Sequence, residues 1–122
     1  MKMCKKALLA FSLFLGGIPS VALAHAHLVT QRPAADSVVT SETDRLTLIF
    51  SEGVERAFSG VIITGAGQKE ISTGALIVSG EHHTHVQVPL KAKLAPGQYQ
   101  VAWRVVSVDG HKTQGQYHFS IK

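Results

Sequence analysis

The chain has 122 residues, which is enough for one domain with a modest core, and its formal net charge at pH 7 is +4. Three of the twelve basic residues fall within the first six positions, whereas residues 25–122 carry nine basic and eight acidic residues. The excess positive charge therefore belongs to the N-terminal segment and does not indicate a nucleic-acid partner. The single cysteine, Cys4, lies in the same segment, which excludes a disulfide within residues 25–122.

The first 24 residues have the pattern of an export signal. The basic start is followed by an apolar run of about 15 residues, Ala7–Val21, and then by Ala22 and Ala24, the small residues that signal peptidase requires. The apolar run is shorter than the roughly 20 residues of a membrane-spanning helix. We therefore predict a cleaved signal peptide over residues 1–24, a periplasmic location, and a mature domain over residues 25–122.

The mature region shows strand patterns throughout and no helical periodicity beyond one turn near residues 54–58. Turn sequences such as Gly65–Gln68 and Ala95–Gly97 separate short runs rich in β-branched and aromatic residues. This pattern predicts an all-β domain, an immunoglobulin-like Greek-key β-sandwich or barrel of about seven strands, with Phe50 and Trp103 in its core. The predicted strands after an early one within residues 29–45 are 46–50, 60–64, 70–73, 75–78, 84–88, 98–108 and 115–121.

All seven histidines fall in the mature region, a composition that suggests metal binding without proving it. A free N-terminal His25 offers an amine and a ring nitrogen to copper(II), which prefers nitrogen ligands in a tetragonal plane. Asp109 and His111 flank Gly110, so a tight turn can point a carboxylate and an imidazole in the same direction. An ordinary surface turn is the competing interpretation of this Asp-Gly-His sequence.

A second geometry uses only the terminus. His27 is the third mature residue, and an amine, two deprotonated backbone amides and this imidazole can wrap copper(II) without help from the fold. That arrangement leaves Asp109 and His111 unused. Spacing alone does not separate the two geometries.

Several motifs resemble the CopC/PcoC family of periplasmic copper-binding proteins, and together they extend over the whole mature region. The combination of an N-terminal histidine with the Trp-Arg-Val-Val-Ser-x-Asp-Gly-His run is the specific part. The matching stretches are His25–Leu28, Pro33–Ala35, Leu48–Glu52, Leu94–Tyr99, Val101–His111, Gly115 and Phe119.

The resemblance implies an immunoglobulin-like sandwich that binds one copper(II) ion per chain. It implies ligation by His25 through its amine and ring, by His111, and by Asp109 at or near the metal, with His27 as an extra ligand or a neighbour. It also implies a CopD-like inner-membrane protein as a partner, and Glu52 is either a group that supports the ligands or a solvated acid. Some members bind copper(I) through methionines, but residues 25–122 contain no methionine, so we predict no such site here.

Three functions compete at this stage. The first is a monomeric periplasmic copper carrier or buffer without enzymatic activity. The second is a small monooxygenase-like enzyme with an N-terminal histidine brace, and the third is a metal-free immunoglobulin-like interaction module. His82, His83 and His85 either form a weak second metal site or belong to a polar hairpin.

Overall fold

The structure is a computed structural model that describes residues 26–122, and it contains nine strands in two sheets. The predicted signal peptide and His25 lie outside the described residues. The strands are β1 (Leu28–Arg32), β2 (Val38–Val39), β3 (Arg45–Phe50), β4 (Gly60–Thr64), β5 (Glu70–Ile71), β6 (Ile77–Ser79), β7 (His85–Pro89), β8 (Gly97–Val106) and β9 (Lys112–Ile121). Short 3-10 turns occupy Arg56–Phe58 and Ala66–Gln68.

The two sheets form a sandwich. One has the strand order β1-β3-β7-β6, and the other has the order β2-β9-β8-β4-β5. The pairings are antiparallel except that β2 runs parallel to β9. The chain crosses repeatedly between the sheets, so distant segments become neighbours, and the predicted all-β sandwich is confirmed.

Side-chain alternation builds the core between the sheets. Along β3, Leu46, Leu48 and Phe50 are buried while the residues between them are less buried, as the sequence pattern predicts. Trp103 of β8 is also buried, and its ring meets that of Phe50 edge-on with the centroids 5.1 Å apart. The prediction that both aromatic residues belong to the core is confirmed.

The structure has nine strands where about seven were expected. The two-residue strand β2 lies in the region for which one early strand was predicted, whereas β5 and β6 overlap the predicted strands 70–73 and 75–78. The predicted strand 98–108 also ends early, at Val106, because Ser107 pairs with Val54 only as an isolated bridge before the chain turns. The helical turn expected near residues 54–58 is present as Arg56–Phe58. Over residues 26–122, no helix is long and apolar enough to cross a membrane.

Candidate metal centre

The turn between β8 and β9 carries Asp109 and His111, two of the predicted copper ligands. The Ser107 amide donates to the carbonyl oxygen of His111 (2.9 Å), and the Gly110 amide donates to the carbonyl of Ser107 (2.8 Å). Gly110 has φ of +91°, a conformation that glycine adopts without the steric cost of a side chain. The sequence Asp-Gly-His therefore forms a closed, hydrogen-bonded turn.

Ser107 is the centre of this turn, and its side chain is fully buried. Its hydroxyl donates a short hydrogen bond to the carboxylate of Asp109 and accepts one from the backbone amide of His111 at 3.2 Å. One buried hydroxyl thus fixes both the carboxylate and the residue that carries the imidazole. Buried polar groups that are bonded in this way orient their neighbours, because breaking either bond leaves a group unsatisfied.

The side chains of Asp109 and His111 meet directly, with Oδ1 3.1 Å from Nδ1. About half of each is open to solvent, since the relative exposures are 40% and 51%. The hydrogen bond from Ser107, followed by that from His111, holds the pKa of the Asp109 carboxyl below its usual value, so this group is a carboxylate at neutral pH. A carboxylate that holds one ring nitrogen fixes the imidazole for coordination through the other.

The start of the described chain is tied to the same place. Ala26 is completely buried, and its carbonyl accepts a hydrogen bond of 2.6 Å from the hydroxyl of Thr113. Thr113 points inward from β9, two residues after His111. This hydrogen bond joins residues 87 positions apart and brings Ala26 to the base of the Asp109–His111 turn.

His27 is held elsewhere. Its amide donates to the hydroxyl of Ser51 at 3.0 Å, its ring Nδ1 lies 3.1 Å from the same oxygen, and its carbonyl accepts from the Ser51 amide at 2.9 Å. The local copper wrap requires the amide nitrogens of Ala26 and His27 and the Nδ1 atom of His27. Two of those atoms are engaged by Ser51 in the folded chain, so this wrap would have to break existing hydrogen bonds.

The structure therefore brings two predicted ligands together, Asp109 and His111, and places His27 against Ser51. His25, the remaining predicted ligand, precedes the described residues. Within residues 26–122, no group of three or more His, Cys, Asp or Glu side chains is arranged to hold a metal ion.

The histidines of the predicted second site lie in and beside the turn that precedes β7. β7 begins at His85, so His82 and His83 belong to the preceding turn. His82 and His83 line an open groove of about 510 Å³ together with Glu52 and Glu81. Glu52 makes no hydrogen bond or ion pair with any residue in the described part of the chain.

Two residues that support the site were not recognised from the sequence, namely Ser107 and Thr113. Ser107 lies inside the Trp-Arg-Val-Val-Ser motif, but its role depends on burial, which the motif does not reveal. Thr113 could have been noticed from strand alternation, since it shares the inward face of β9 with Tyr117 and Phe119. A threonine on an inward face needs a hydrogen-bond partner, and here that partner is distant in sequence.

Comparisons with known proteins agree on one family. A CopC domain family model matches residues 28–122. The chain is 51% identical over 104 residues to Protein YobA of Escherichia coli (strain K12), covering 85% of this chain and 83% of that protein. It is 33% identical over 128 residues to Copper resistance protein C of Escherichia coli, covering 100% of both chains.

The fold has a counterpart among solved structures at a similar level of identity. The crystal structure of PcoC, described as a methionine-rich copper resistance protein from Escherichia coli, matches with a TM-score of 0.73 and 30% sequence identity. The match covers 81% of this chain and 100% of the PcoC chain.

Proposed function

Because this chain belongs to the CopC family, whose relatives include copper resistance proteins, we propose that it is a periplasmic protein that binds one copper(II) ion as a carrier or buffer. The chain is a copper-handling protein and not an enzyme. The alternatives of a monooxygenase-like enzyme and a metal-free interaction module are therefore set aside. Delivery of the ion to a CopD-like inner-membrane protein is part of the proposal.

The proposed ligands are the amine and ring of His25, the imidazole of His111 and the carboxylate of Asp109. One observation supports this set above all, the hydrogen bond from Thr113 to the carbonyl of Ala26. That bond holds Ala26, the first described residue, beside β9 two residues after His111, which supports a contribution of the preceding residue to the site.

The donor set also favours the oxidised ion. Nitrogen and carboxylate oxygen in a tetragonal arrangement suit copper(II), whereas copper(I) prefers the soft sulfur of cysteine and methionine. Residues 25–122 contain neither of these residues. His27 acts in this proposal as a neighbour that fixes the N-terminal segment to Ser51, and not as a ligand.

Electron paramagnetic resonance of the protein purified from the periplasm, with one equivalent of copper(II), tests the proposal. We expect one type 2 signal, which changes in the Asp109→Ala/His111→Ala variant and persists in a His82→Ala/His83→Ala control. An unchanged signal in the first variant would place the copper on the terminal residues alone. Intact mass measured on the same sample tests whether the chain begins at His25.

The terminal amine can be tested separately. Adding one alanine before His25 moves the amine out of the chelate while leaving the buried contacts of Ala26 in place. We expect the copper(II) affinity to fall about 100-fold or more, beyond the range typical of a supporting residue, with an unchanged melting temperature for the copper-free protein. Equal affinity of the two proteins would exclude the amine as a ligand.

A further inference from the structure

The outer surface of the five-stranded sheet carries exposed apolar side chains. Phe58 is 66% exposed and Ile62 is 46% exposed. Two shallow grooves, of about 670 and 460 Å³, run beside these residues and meet at Arg104 and Gln114, which line both. We call this surface the docking face and define it by Phe58, Ile62, Ala102, Arg104, Val106 and Lys112.

The charges of the docking face have one sign. Arg104 pairs with Gln114, and Val106 pairs with Lys112, so Arg104 and Lys112 are diagonal neighbours on the same side of the β8–β9 ladder, roughly 7–8 Å apart. No acidic residue lines either groove, and neither cation forms an ion pair within residues 26–122. The face is therefore complementary to a ligand that carries carboxylates.

The docking face adjoins the proposed copper centre. Lys112 follows His111 directly, and Thr113, which borders the larger groove, holds the carbonyl of Ala26. A molecule bound along β8 and β9 would therefore lie next to the copper ligands. Exposed aromatic side chains beside arginine are also the composition that protein interfaces favour.

We propose that the docking face binds an extended acidic segment of the protein that exchanges copper with this chain. In an extended strand, alternate residues lie about 6.6–6.8 Å apart on one face, close to the roughly 7–8 Å typical of diagonal positions such as those of Arg104 and Lys112. Two carboxylates at alternate positions would pair with these cations, and an adjacent apolar side chain would cover Phe58. The identity of this partner as a copper donor or acceptor rests on the proposed function.

Other occupants fit less well. Binding to anionic lipid typically uses clusters of four to eight basic residues, whereas two cations line this face. The segment 1–24 contains three lysines and no acid, so it would meet Arg104 and Lys112 with like charge. A second copy of this chain would need an acidic strand in its own surface, which the test below detects as self-association.

Nuclear magnetic resonance of the isotope-labelled, copper-free protein tests the docking face. The probe is a capped ten-residue peptide with two glutamates at alternate positions next to one phenylalanine, compared with the same peptide carrying glutamines. We expect the glutamate peptide to shift amide signals of β8, β9 and residues 56–58. Arg104→Glu/Lys112→Glu and, separately, Phe58→Ala should each weaken binding, the charge variant by about tenfold.

The matched control is Lys69→Glu/Lys91→Glu, which makes the same change in net charge around a different groove. The proposal is overturned by equal weakening in this control, by equal binding of the glutamine peptide, or by shifts elsewhere on the protein. Binding of anionic lipid vesicles without binding of the peptide, or self-association that blocks the face, would also overturn it. Electron paramagnetic resonance of the same variants reports copper binding separately, so failure of the copper site and failure of the docking face are distinguishable.

Discussion

Two histidine-bearing turns lie on either side of residues 51–54, and they are built differently. In the turn at residues 107–111, the buried hydroxyl of Ser107 bonds to the Asp109 carboxylate and to the His111 amide. The turn at residues 80–84 is held through backbone groups, among them the Val54 amide, which donates to the carbonyl of His83 at 2.8 Å.

The difference shows what turns a histidine into a candidate ligand. The groove beside the second turn is lined by two imidazoles and two carboxylates, which is more potential ligands than the first turn offers. Its side chains are nevertheless not arranged as a cluster that can hold a metal ion in the described chain. The first turn offers one carboxylate and one imidazole. Ser107 holds the carboxylate and the backbone of His111, the carboxylate contacts the imidazole, and Ala26 is anchored beside them. Orientation therefore distinguishes the turns better than composition does.

The largest expected effect is the loss of copper(II) affinity when the histidine of the first turn is removed. His111→Ala removes a proposed ligand, so the copper(II) affinity should fall by more than about 100-fold, beyond the range typical of supporting residues. His82→Ala/His83→Ala should change it less than about threefold. Competition titration with a copper chelator measures both, and thermal unfolding of the copper-free proteins checks that the fold is intact. Similar losses of copper(II) affinity in the two variants would mean that the turn at residues 107–111 is no more important for copper binding than the turn at residues 80–84.

Ser107→Ala should have the next largest effect. It leaves both ligands in place but removes the hydroxyl that orients them, so we expect a loss of about 10–100-fold in copper(II) affinity. Unfolding free energy should fall by about 0.5–1.5 kcal/mol, because the variant loses the hydrogen bonds that the buried Ser107 hydroxyl makes to Asp109 and to the His111 amide.

The same variant has a second readout that a purely structural role would not produce. The hydrogen bond from Ser107 is the largest cause of the lowered pKa of Asp109, so Ser107→Ala should raise that pKa toward the ordinary value. A carbon-detected titration of the Asp109 carboxyl in the copper-free protein measures the change. An unaltered pKa would mean that the serine does not control the carboxylate.

Thr113→Val tests the hydrogen bond that holds Ala26 beside the Asp109–His111 turn. The valine keeps the shape of the side chain but leaves the buried carbonyl of Ala26 without its donor. We expect about tenfold weaker copper(II) binding and a change in the electron paramagnetic resonance parameters, whereas Thr113→Ser should restore both. Normal copper binding by the valine variant would mean that the hydrogen bond to Ala26 does not control the copper site.

The sequence predicts the sandwich because its strands are long and alternate clearly, as β3, β8 and β9 do. It also identifies Asp109 and His111 as a pair, because one glycine separates them. It does not predict the roles of Ser107 and Thr113. The role of Ser107 depends on the burial of its hydroxyl, and that of Thr113 depends on a contact with Ala26, 87 residues away. The short strands β5 and β6 overlap the predicted strands 70–73 and 75–78, but their bounds differ, and the two-residue strand β2 is too short to show a period of its own.

The smallest expected effect concerns the buried hydroxyl of Tyr117. Unlike that of Ser107, the Tyr117 hydroxyl makes no hydrogen bond to any residue in the range 26–122. Tyr117→Phe should therefore raise the unfolding free energy by about 1 kcal/mol and leave copper binding unchanged. Tyr99→Phe is the matched control, since its hydroxyl donates to the carbonyl of Ala95 at 2.7 Å, and it should instead destabilise the protein by about 1 kcal/mol.

The difference in unfolding free energy between Tyr117→Phe and the parent protein should depend on pH. Burial raises the pKa of Tyr117 above the ordinary tyrosine value of about 10. Below that pH both the folded and the unfolded chain keep the proton, so Tyr117 contributes no pH dependence. Above it only the unfolded chain ionises, so the parent protein loses stability as the pH rises, and the phenylalanine variant lacks this loss. Urea unfolding at about pH 8 and pH 10.5 should show a larger advantage of the variant at the higher pH, and equal differences would contradict the raised pKa.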